Sequence, residues 1–262
     1  MTAPKIFESG YYTHMAELER SSWWNAGMRD LAARLLGGVK LPAKGMLLDV
    51  GCGSGQTMGW LRGLLPGWSA VGVDVALDGL HAAREGGGEH VLAASALDLP
   101  FPDASFELVI TLDVLQHLPL GGGDEVALRE IRRVLRPGGV LFVRTNAQAL
   151  PRIADDTEYN FHKYGSAELR TKLASAGFRV QRLGRVNALL GLAEIPRELR
   201  ALGVSHGGYA GLISTVPRLG AAWKAKRAWL GLEGRLLAAG LSIPLGRTHV
   251  ALARATDGGI RS

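Results

Sequence analysis

The chain has 262 residues, of which 47% are hydrophobic and 21% are charged, a composition typical of a folded globular protein. Its single cysteine, Cys52, can form neither an internal disulfide nor a cysteine-based metal cluster, so we expect a reducing compartment and no metal. No apolar stretch approaches the roughly 18 residues that a membrane-spanning helix needs, and the first ten residues do not match a signal peptide. We therefore expect a cytoplasmic protein.

The net charge of +6 is unevenly distributed along the chain. Residues 1–149 contain 13 Lys and Arg against 16 Asp and Glu, whereas residues 150–262 contain 17 against 8. Such a basic excess can attract nucleic acid, an anionic membrane surface or an anionic substrate, or it can be a solvated surface without a partner. Charge alone leaves these alternatives open.

Short apolar runs alternate with helical patterns from Gly45 onward, which predicts an α/β fold with helices on both faces of a mainly parallel sheet. The core comprises residues 45–187 and 247–255. Helices are predicted at Gln56–Leu65, at Glu125–Leu135 and at Ser166–Ala176, the last with Ser166 as its N-cap and Gly177 just past its end. Seven strands are predicted, at Met46–Val50, Ala70–Val75, His90–Ala93, Phe106–Thr111, Val140–Thr145, Phe178–Arg185 and Thr248–Arg254.

Two helical additions flank this core. Residues 1–44 carry apolar side chains on or near one helix face, which predicts an N-terminal helical lid, and at least one of the adjacent Trp23 and Trp24 should reach the pocket or the cap. Residues 188–246 far exceed an ordinary connection of two to six residues, so we expect a helical cap over the substrate or, alternatively, a packing or homodimer element. Residues 256–262 are predicted to be disordered.

The composition of the insertion fits an amphiphilic or anionic substrate, and it would also suit peripheral contact with a membrane. The apolar side chains that would form the walls of a substrate pocket are Leu189, Leu192, Ile195, Trp223 and Trp229. The basic side chains that would form its rim are Arg197, Arg200, Arg218, Lys224, Lys226 and Arg227.

A glycine loop follows the first strand and is the strongest local signal in the sequence. Gly51, Gly53 and Gly55 come directly after the apolar strand, where glycines let the backbone approach a ligand and reach positive φ. Asp74 ends the second strand about twenty positions later, where an acidic residue can accept hydrogen bonds from both ribose hydroxyls. This order predicts a nucleoside-containing ligand at the carboxyl edge of the sheet.

A dinucleotide-binding fingerprint would require a further glycine where this chain has Gln56. The departure disfavours an NAD-dependent oxidoreductase, although the glycine loop and the acid at the strand end are common to both classes.

Four ordered motifs between Met46 and Asn146 resemble class I S-adenosylmethionine-dependent methyltransferases, especially the groups called type 11 and type 12. The motifs are Asp49-Val-Gly-Cys-Gly-Ser-Gly55, Val71-Gly-Val-Asp74, Leu97-Asp-Leu-Pro-Phe-Pro-Asp-Ala-Ser-Phe106 and Leu135-Arg-Pro-Gly-Gly-Val-Leu141. The resemblance implies a Rossmann-like doubly wound sheet of seven strands, mostly parallel with the last strand antiparallel. It also implies the cofactor S-adenosylmethionine, with S-adenosylhomocysteine as product.

The resemblance assigns cofactor-binding roles residue by residue. The glycines would flank the methionine and ribose parts, Asp74 would hold the ribose, and the loop Ser95–Leu97 would face the adenine, with Ser95 where the family often has an acidic residue. Asp98 is a competing acceptor for the adenine amino group. The full set implied is Tyr12, Asp49, Gly51, Gly53, Gly55, Asp74, Val75, Ser95, Ala96, Leu97, Thr111 and Leu112.

His117 is the candidate catalytic base, because it follows the fourth strand at the edge where the crevice should open and because imidazole suits proton transfer near neutral pH. The alternative is a histidine that packs or lines the cofactor. A base is needed only where the nucleophile carries a proton, so methyl transfer does not require one in every case.

The resulting hypothesis is methyl transfer to an O, N or C nucleophile of a small, lipid-like or secondary-metabolite molecule. Its rivals are an NAD-dependent oxidoreductase, an RNA methyltransferase and a silent protein that binds S-adenosylmethionine without chemistry. No RNA-binding module is recognisable and DNA is not expected as a partner, so a small-molecule substrate is favoured.

Overall fold

The computed structural model describes residues 10–86, 88, 90–148, 162–189 and 220–256. Its sheet has seven strands, β1 (Met46–Val50), β2 (Ser69–Asp74), β3 (Val91–Ala93), β4 (Phe106–Leu112), β5 (Leu135–Asn146), β6 (Phe178–Val186) and β7 (Thr248–Ala255). The helices are α1 (Tyr11–Ser21), α2 (Trp23–Gly37), α3 (Gln56–Leu64), α4 (Leu77–Glu85), α5 (Gly123–Val134), α6 (Ser166–Ser175) and α7 (Ala221–Ala238).

The strand order is β3-β2-β1-β4-β5-β7-β6. Strands β1 to β5 pair in parallel, and β7 runs antiparallel to both of its neighbours, β5 and β6. The predicted Rossmann-like sheet with an antiparallel last strand is therefore confirmed. The chain reverses its winding direction between β1 and β4, and the crevice beyond the carboxyl ends of these two strands is where doubly wound sheets bind ligands.

The two faces of the sheet carry separate hydrophobic cores. One core packs α5 and α6 against inward-facing residues of the central strands, such as Val109 and Val143. The other core packs α2 and α7 against the opposite residues of the same strands, such as Ile110 and Phe142. Alternation of buried side chains along each strand thus fixes which helices lie on which face.

The adjacent tryptophans of α2 are both buried, and each contacts a different neighbour. Trp23 is 1% exposed and has Lys226 of α7 5.4 Å from its ring centre, while the guanidinium of Arg144 lies 4.6 Å from the ring centre of Trp24. Trp23 therefore faces the helix that precedes β7, and Trp24 faces the sheet.

Several predicted boundaries are wrong. Strand β5 begins at Leu135 and not at Val140, because Leu135 already pairs with Phe106 ahead of the irregular turn in which Gly138 has a φ of +72°. The N-cap of α6 is Gly165, whose N–H donates to Glu168, so Ser166 is the first helical residue and not the cap.

The predicted disordered tail begins too early. Thr256 is held in place by three hydrogen bonds, because its N–H and hydroxyl both donate to the carbonyl of Gly177 and its own carbonyl accepts from Arg132. Residues 257–262 lie outside the described part of the chain, as do residues 190–219 of the insertion. Within the described residues, no helix combines the length and apolarity needed to cross a bilayer.

His249 of β7 makes the stability of the fold depend on pH. The ring is fully buried with Nε2 3.0 Å from the carbonyl of Tyr164, and burial, reinforced by Arg185, lowers its pKa to about 4. The unfolded chain therefore takes up a proton near pH 6.5 that the folded chain does not, and stability should fall as the pH drops from 6.5 towards 4. In His249→Gln, thermal unfolding across this window should show a flatter pH dependence. An equally steep dependence in the variant would contradict this role.

Candidate cofactor site

The glycine loop lies at the carboxyl end of β1 and adopts a conformation that requires glycine. Gly51, Gly53 and Gly55 have φ values of +78°, +49° and +73°. A Cβ on Gly51 would lie 2.1 Å from Val114, so this position has no room for a side chain whatever its backbone angle. Gly55 is the N-cap of α3, which directs the first N–H groups of that helix towards the loop.

Asp74 ends β2 beside this loop and holds it in place. Its Oδ2 accepts from the N–H of Gly53 at 2.8 Å, and its Oδ1 accepts from the N–H of Ala76 at 2.9 Å. Each carboxylate oxygen can accept a second hydrogen bond, so the group can still grip two hydroxyls of a ligand. Val75 follows with 60% of its surface exposed, leaving an apolar side chain open beside the acid.

Two buried polar side chains lie near the strand ends without a hydrogen-bond partner among the described residues. They are Asp49 of β1, through its Oδ2, and Thr111 of β4, through its hydroxyl. Burial, together with the nearby carboxylates of Asp74 and Glu19 and against the opposing effect of Arg144, raises the pKa of Asp49 to about 7. A buried polar atom without a hydrogen bond raises the free energy of the folded protein. Binding of a ligand that donates a hydrogen bond from a cationic group to these atoms would therefore be favourable.

Asp49 should destabilise the ligand-free protein as the pH rises. Its folded pKa lies above its unfolded value of 3.8, so the folded state holds a proton that the unfolded state loses, and stability falls between about pH 4 and pH 7. We expect Asp49→Asn to raise the Tm at about pH 8 by roughly 2–8 °C, because relieving a buried charge is worth about 1–2 kcal/mol and each kcal/mol shifts the Tm by about 2–4 °C. Calorimetry of both proteins at pH 5 and pH 8 tests this, and a gain that is no larger at pH 8 would contradict it.

Helix α1 lies across the glycine loop through two side chains. The Tyr12 ring is so close to Gly79 that a Cβ there would lie 3.0 Å from it, and it also borders Gly53. Burial and the neighbouring Asp74 raise the pKa of the Tyr12 hydroxyl, which therefore stays protonated and able to donate. Glu19, near the end of α1, accepts from the hydroxyl of Ser54 at 3.0 Å. The structure thus brings Tyr12 to the glycine loop.

The loop after β3 is compact, and some of its polar groups form hydrogen bonds within the loop. The hydroxyl of Ser95 accepts from the N–H of Leu97 at 3.1 Å, and its carbonyl accepts from the N–H of Asp98. Ala96 is buried and Asp98 is exposed. Because the Ser95 hydroxyl oxygen already accepts from Leu97, a ligand donor has to compete with the N–H of Leu97 for that oxygen. The hydroxyl hydrogen remains available to a ligand acceptor.

His117 ends a 3-10 turn, Leu115–His117, that follows β4. The turn is fixed to the end of β5, because the Gln116 side-chain oxygen accepts from the Thr145 hydroxyl at 2.9 Å and from the N–H of Asn146 at 3.1 Å. His117 is half-buried at this edge of the sheet, on the same side as Thr111 and Leu112 at the end of β4. The predicted residues are therefore distributed along one edge, from the loop after β3 to the turn after β4.

Sequence reasoning missed an ionic group beneath α1 and α2. Arg144 of β5 binds Asp113 with its Nε and Nη2 at 2.9 and 2.5 Å, and Asp113 adopts a φ of +59° to present its carboxylate. Glu19 lies in the same region, where burial raises the pKa of its carboxyl. Asp113 and Arg144 are 31 positions apart and Glu19 lies in the N-terminal helix, so no sequence motif could have revealed the group.

Comparisons with known proteins find methyltransferases. A family model described as a methyltransferase domain matches residues 48–143, the span of the strands and loops described above. A protein of Encephalitozoon cuniculi named as a methyltransferase is 32% identical over 155 residues, which is 52% of this chain and 70% of that protein. An O-methyltransferase of Penicillium expansum is 29% identical over 195 residues, or 65% of this chain and 66% of that protein.

Among solved structures, phosphoethanolamine N-methyltransferase 2 of Haemonchus contortus, in complex with S-adenosyl-L-methionine, has the same fold with a TM-score of 0.62. It is 18% identical, and the match covers 95% of this chain and 59% of that one.

Proposed function

Because this chain belongs to the class I S-adenosylmethionine-dependent methyltransferase family, we propose that it transfers the methyl group of S-adenosylmethionine to an O, N or C nucleophile of a small or lipid-like molecule. The observation that carries the proposal is the glycine loop with Asp74 bound to the N–H of Gly53, placed at the point where the sheet reverses its winding. The O-methyltransferase relative supports a small-molecule acceptor.

The residues at the crevice suit the three parts of this cofactor. Asp74 would accept from the ribose hydroxyls, and Val75 with the loop Ser95–Leu97 would flank the adenine. The Oδ2 of Asp49 and the hydroxyl of Thr111, which have no hydrogen-bond partner in the described part of the chain, would offer acceptors for the ammonium of the methionine part. Bound in this way, the cofactor supplies an electrophilic methyl on a positively charged sulfur.

The chain's own residues would then position the nucleophile and exclude water. Tyr12 and α1 cover the glycine loop, which closes one side of the crevice. In-line positioning alone can supply several kcal/mol of rate enhancement. Where the nucleophile carries a proton, His117 is the proposed acceptor of that proton, since it is the half-buried imidazole held at the edge after β4.

We propose the insertion 188–246 as the element that covers the substrate, because it connects β6 and β7 and can return over the carboxyl edge. Helix α7 is its best-described part and packs mainly on α2, where Arg227 binds Asp30 at 2.7 Å. Trp223 of α7 also donates to the carbonyl of Ser21, the last residue of α1, at 3.2 Å. Trp223 is buried by this packing, whereas the Arg227 side chain remains 42% exposed. Of the other proposed wall and rim residues, none of the four that the structure describes is buried; these are Leu189, Lys224, Lys226 and Trp229. Those between Leu192 and Arg218 lie outside the described part of the chain.

Methyl transfer can be tested directly with S-adenosylmethionine labelled in its methyl group. The purified protein would be incubated with separate panels of phenols and hydroxy acids, phospholipids and fatty acids, and transfer RNA. Label in a small molecule or lipid, together with formation of S-adenosylhomocysteine, is the expected result. Label confined to RNA would replace this proposal with an RNA methyltransferase.

A further inference from the structure

A second cleft lies at the opposite edge of the sheet from the glycine loop. It has a volume of about 390 Å³, which falls within the range of small-molecule sites in proteins, and it is lined by the end of α2, the beginning of β6 and the end of α7. Strand β6 runs in the same direction as β1 to β5, so its beginning marks the amino edge. The cleft is therefore separated from the crevice by the length of the sheet.

Three arginines line this cleft, namely Arg34 of α2 with Arg179 and Arg182 of β6, and no carboxylate is among the lining residues that the structure describes. All three are exposed, and within the described residues none of them forms an ion pair. Three uncompensated guanidinium groups around one concave surface favour an anion.

A β-bulge places two of these arginines on the same side of the strand. Val180 pairs with Ala253 and Arg182 pairs with the adjacent Leu252, so Gln181 is the extra residue. Without this bulge, residues 179 and 182 would lie on opposite faces of β6; with it, both line the cleft. Bulges at sheet edges commonly redirect side chains near functional sites.

Helix capping accounts for part of this charge but not for all of it. Arg182 donates to the carbonyl of Ala238 at the end of α7, and Arg34 lies in the last turn of α2, where a cation is favoured by the helix dipole. Arg179 has no such role, because it lies on a strand and makes no hydrogen bond to either helix end. The exposed guanidinium of Arg179 is therefore accessible to a ligand in the cleft.

We propose that this cleft binds the phosphate group of a small organic phosphate. Guanidinium groups match phosphate oxygens in charge and in bidentate geometry. The apolar side chains of Leu35, Val39 and Leu252 form the remaining wall and suit a carbon skeleton attached to the phosphate. The site is independent of methyl transfer, because it shares no residue with the crevice.

The test is titration of the intact protein with phenyl phosphate, followed by calorimetry, beside inorganic phosphate, phenol and phosphatidic acid vesicles. Phenyl phosphate should bind at millimolar affinity or tighter, more tightly than inorganic phosphate, and phenol should not bind. Arg34→Gln and Arg179→Gln should each weaken this binding roughly tenfold, the scale of one lost hydrogen bond to a charged group. Arg170→Gln, a change to an exposed arginine of α6 on the other face of the sheet, should leave it unchanged.

Three outcomes would overturn the proposal: no binding of phenyl phosphate by the unmodified protein, equal binding by all the variants, or binding to phosphatidic acid vesicles alone. Binding of S-adenosylmethionine by each variant serves as the control for folding. Because that control reports on the other edge of the sheet, failure at the cleft remains distinguishable from failure of the proposed methyltransferase function.

Discussion

Asp74→Ala is expected to weaken the binding of S-adenosylmethionine by about 1.5–3 kcal/mol, or roughly 10- to 150-fold, the scale for lost hydrogen bonds to a charged group. The Asp74 carboxylate accepts a hydrogen bond from the N–H of Gly53, and its remaining acceptor capacity is available to a ligand. Removing it therefore loosens the loop and deletes the ribose acceptors together. Calorimetric titration of the variant and the unmodified protein measures the effect.

The matched control is Asp78→Ala, which removes an exposed carboxylate from the first turn of α4, four residues further along the chain. It should bind the cofactor within about twofold of the unmodified protein, since exposed charges contribute little. If Asp74→Ala also stays within twofold, Asp74 is not the ribose ligand.

His117→Ala is expected to lower turnover about a hundredfold or more while leaving cofactor affinity within a few-fold, provided that the substrate's nucleophile loses a proton. Half-burial and the anchoring of its turn through Gln116 keep the imidazole at the edge beyond β4, where a bound substrate would meet it. The pH profile of the unmodified enzyme should differ from that of the variant, because only the unmodified enzyme carries the proposed proton acceptor. The measurement is initial rate against pH for both proteins.

His81→Ala supplies the control, because His81 is exposed on α4 and belongs to no proposed step. Its rate and pH profile should match those of the unmodified enzyme. Unchanged turnover and an unchanged profile in His117→Ala would instead make His117 a packing residue.

The sheet and the glycine loop could be predicted because their signals are local. An apolar run followed by closely spaced glycines, and then by an acid at the next strand end, specifies a backbone that approaches a ligand, and the structure places Gly53 and Asp74 together as expected. The seven-stranded, mostly parallel sheet with an antiparallel last strand also followed from the family resemblance, and the strand pairing confirmed it.

The remaining features depend on contacts that have no short-range pattern. The pair between Arg144 and Asp113 and the approach of Glu19 to Ser54 join distant segments, and each could be seen only once the helices were packed. The same reason applies to the insertion, since the apolar residues of α7 suited a substrate wall equally well until Trp223 and Leu230 were seen to be buried in the core that α7 shares with α2. The β-bulge at Gln181 could not be predicted from the sequence either, because strict alternation of side chains along a strand predicts no bulge there.

The most direct test of the central claim is calorimetric titration of the intact chain with S-adenosylmethionine and, separately, with NADH. The departure from the dinucleotide fingerprint at Gln56 and the assembled glycine loop with Asp74 predict binding of S-adenosylmethionine in the micromolar range, about −8 kcal/mol, and no measurable binding of NADH. Tight binding of NADH together with no heat from S-adenosylmethionine would contradict the assignment.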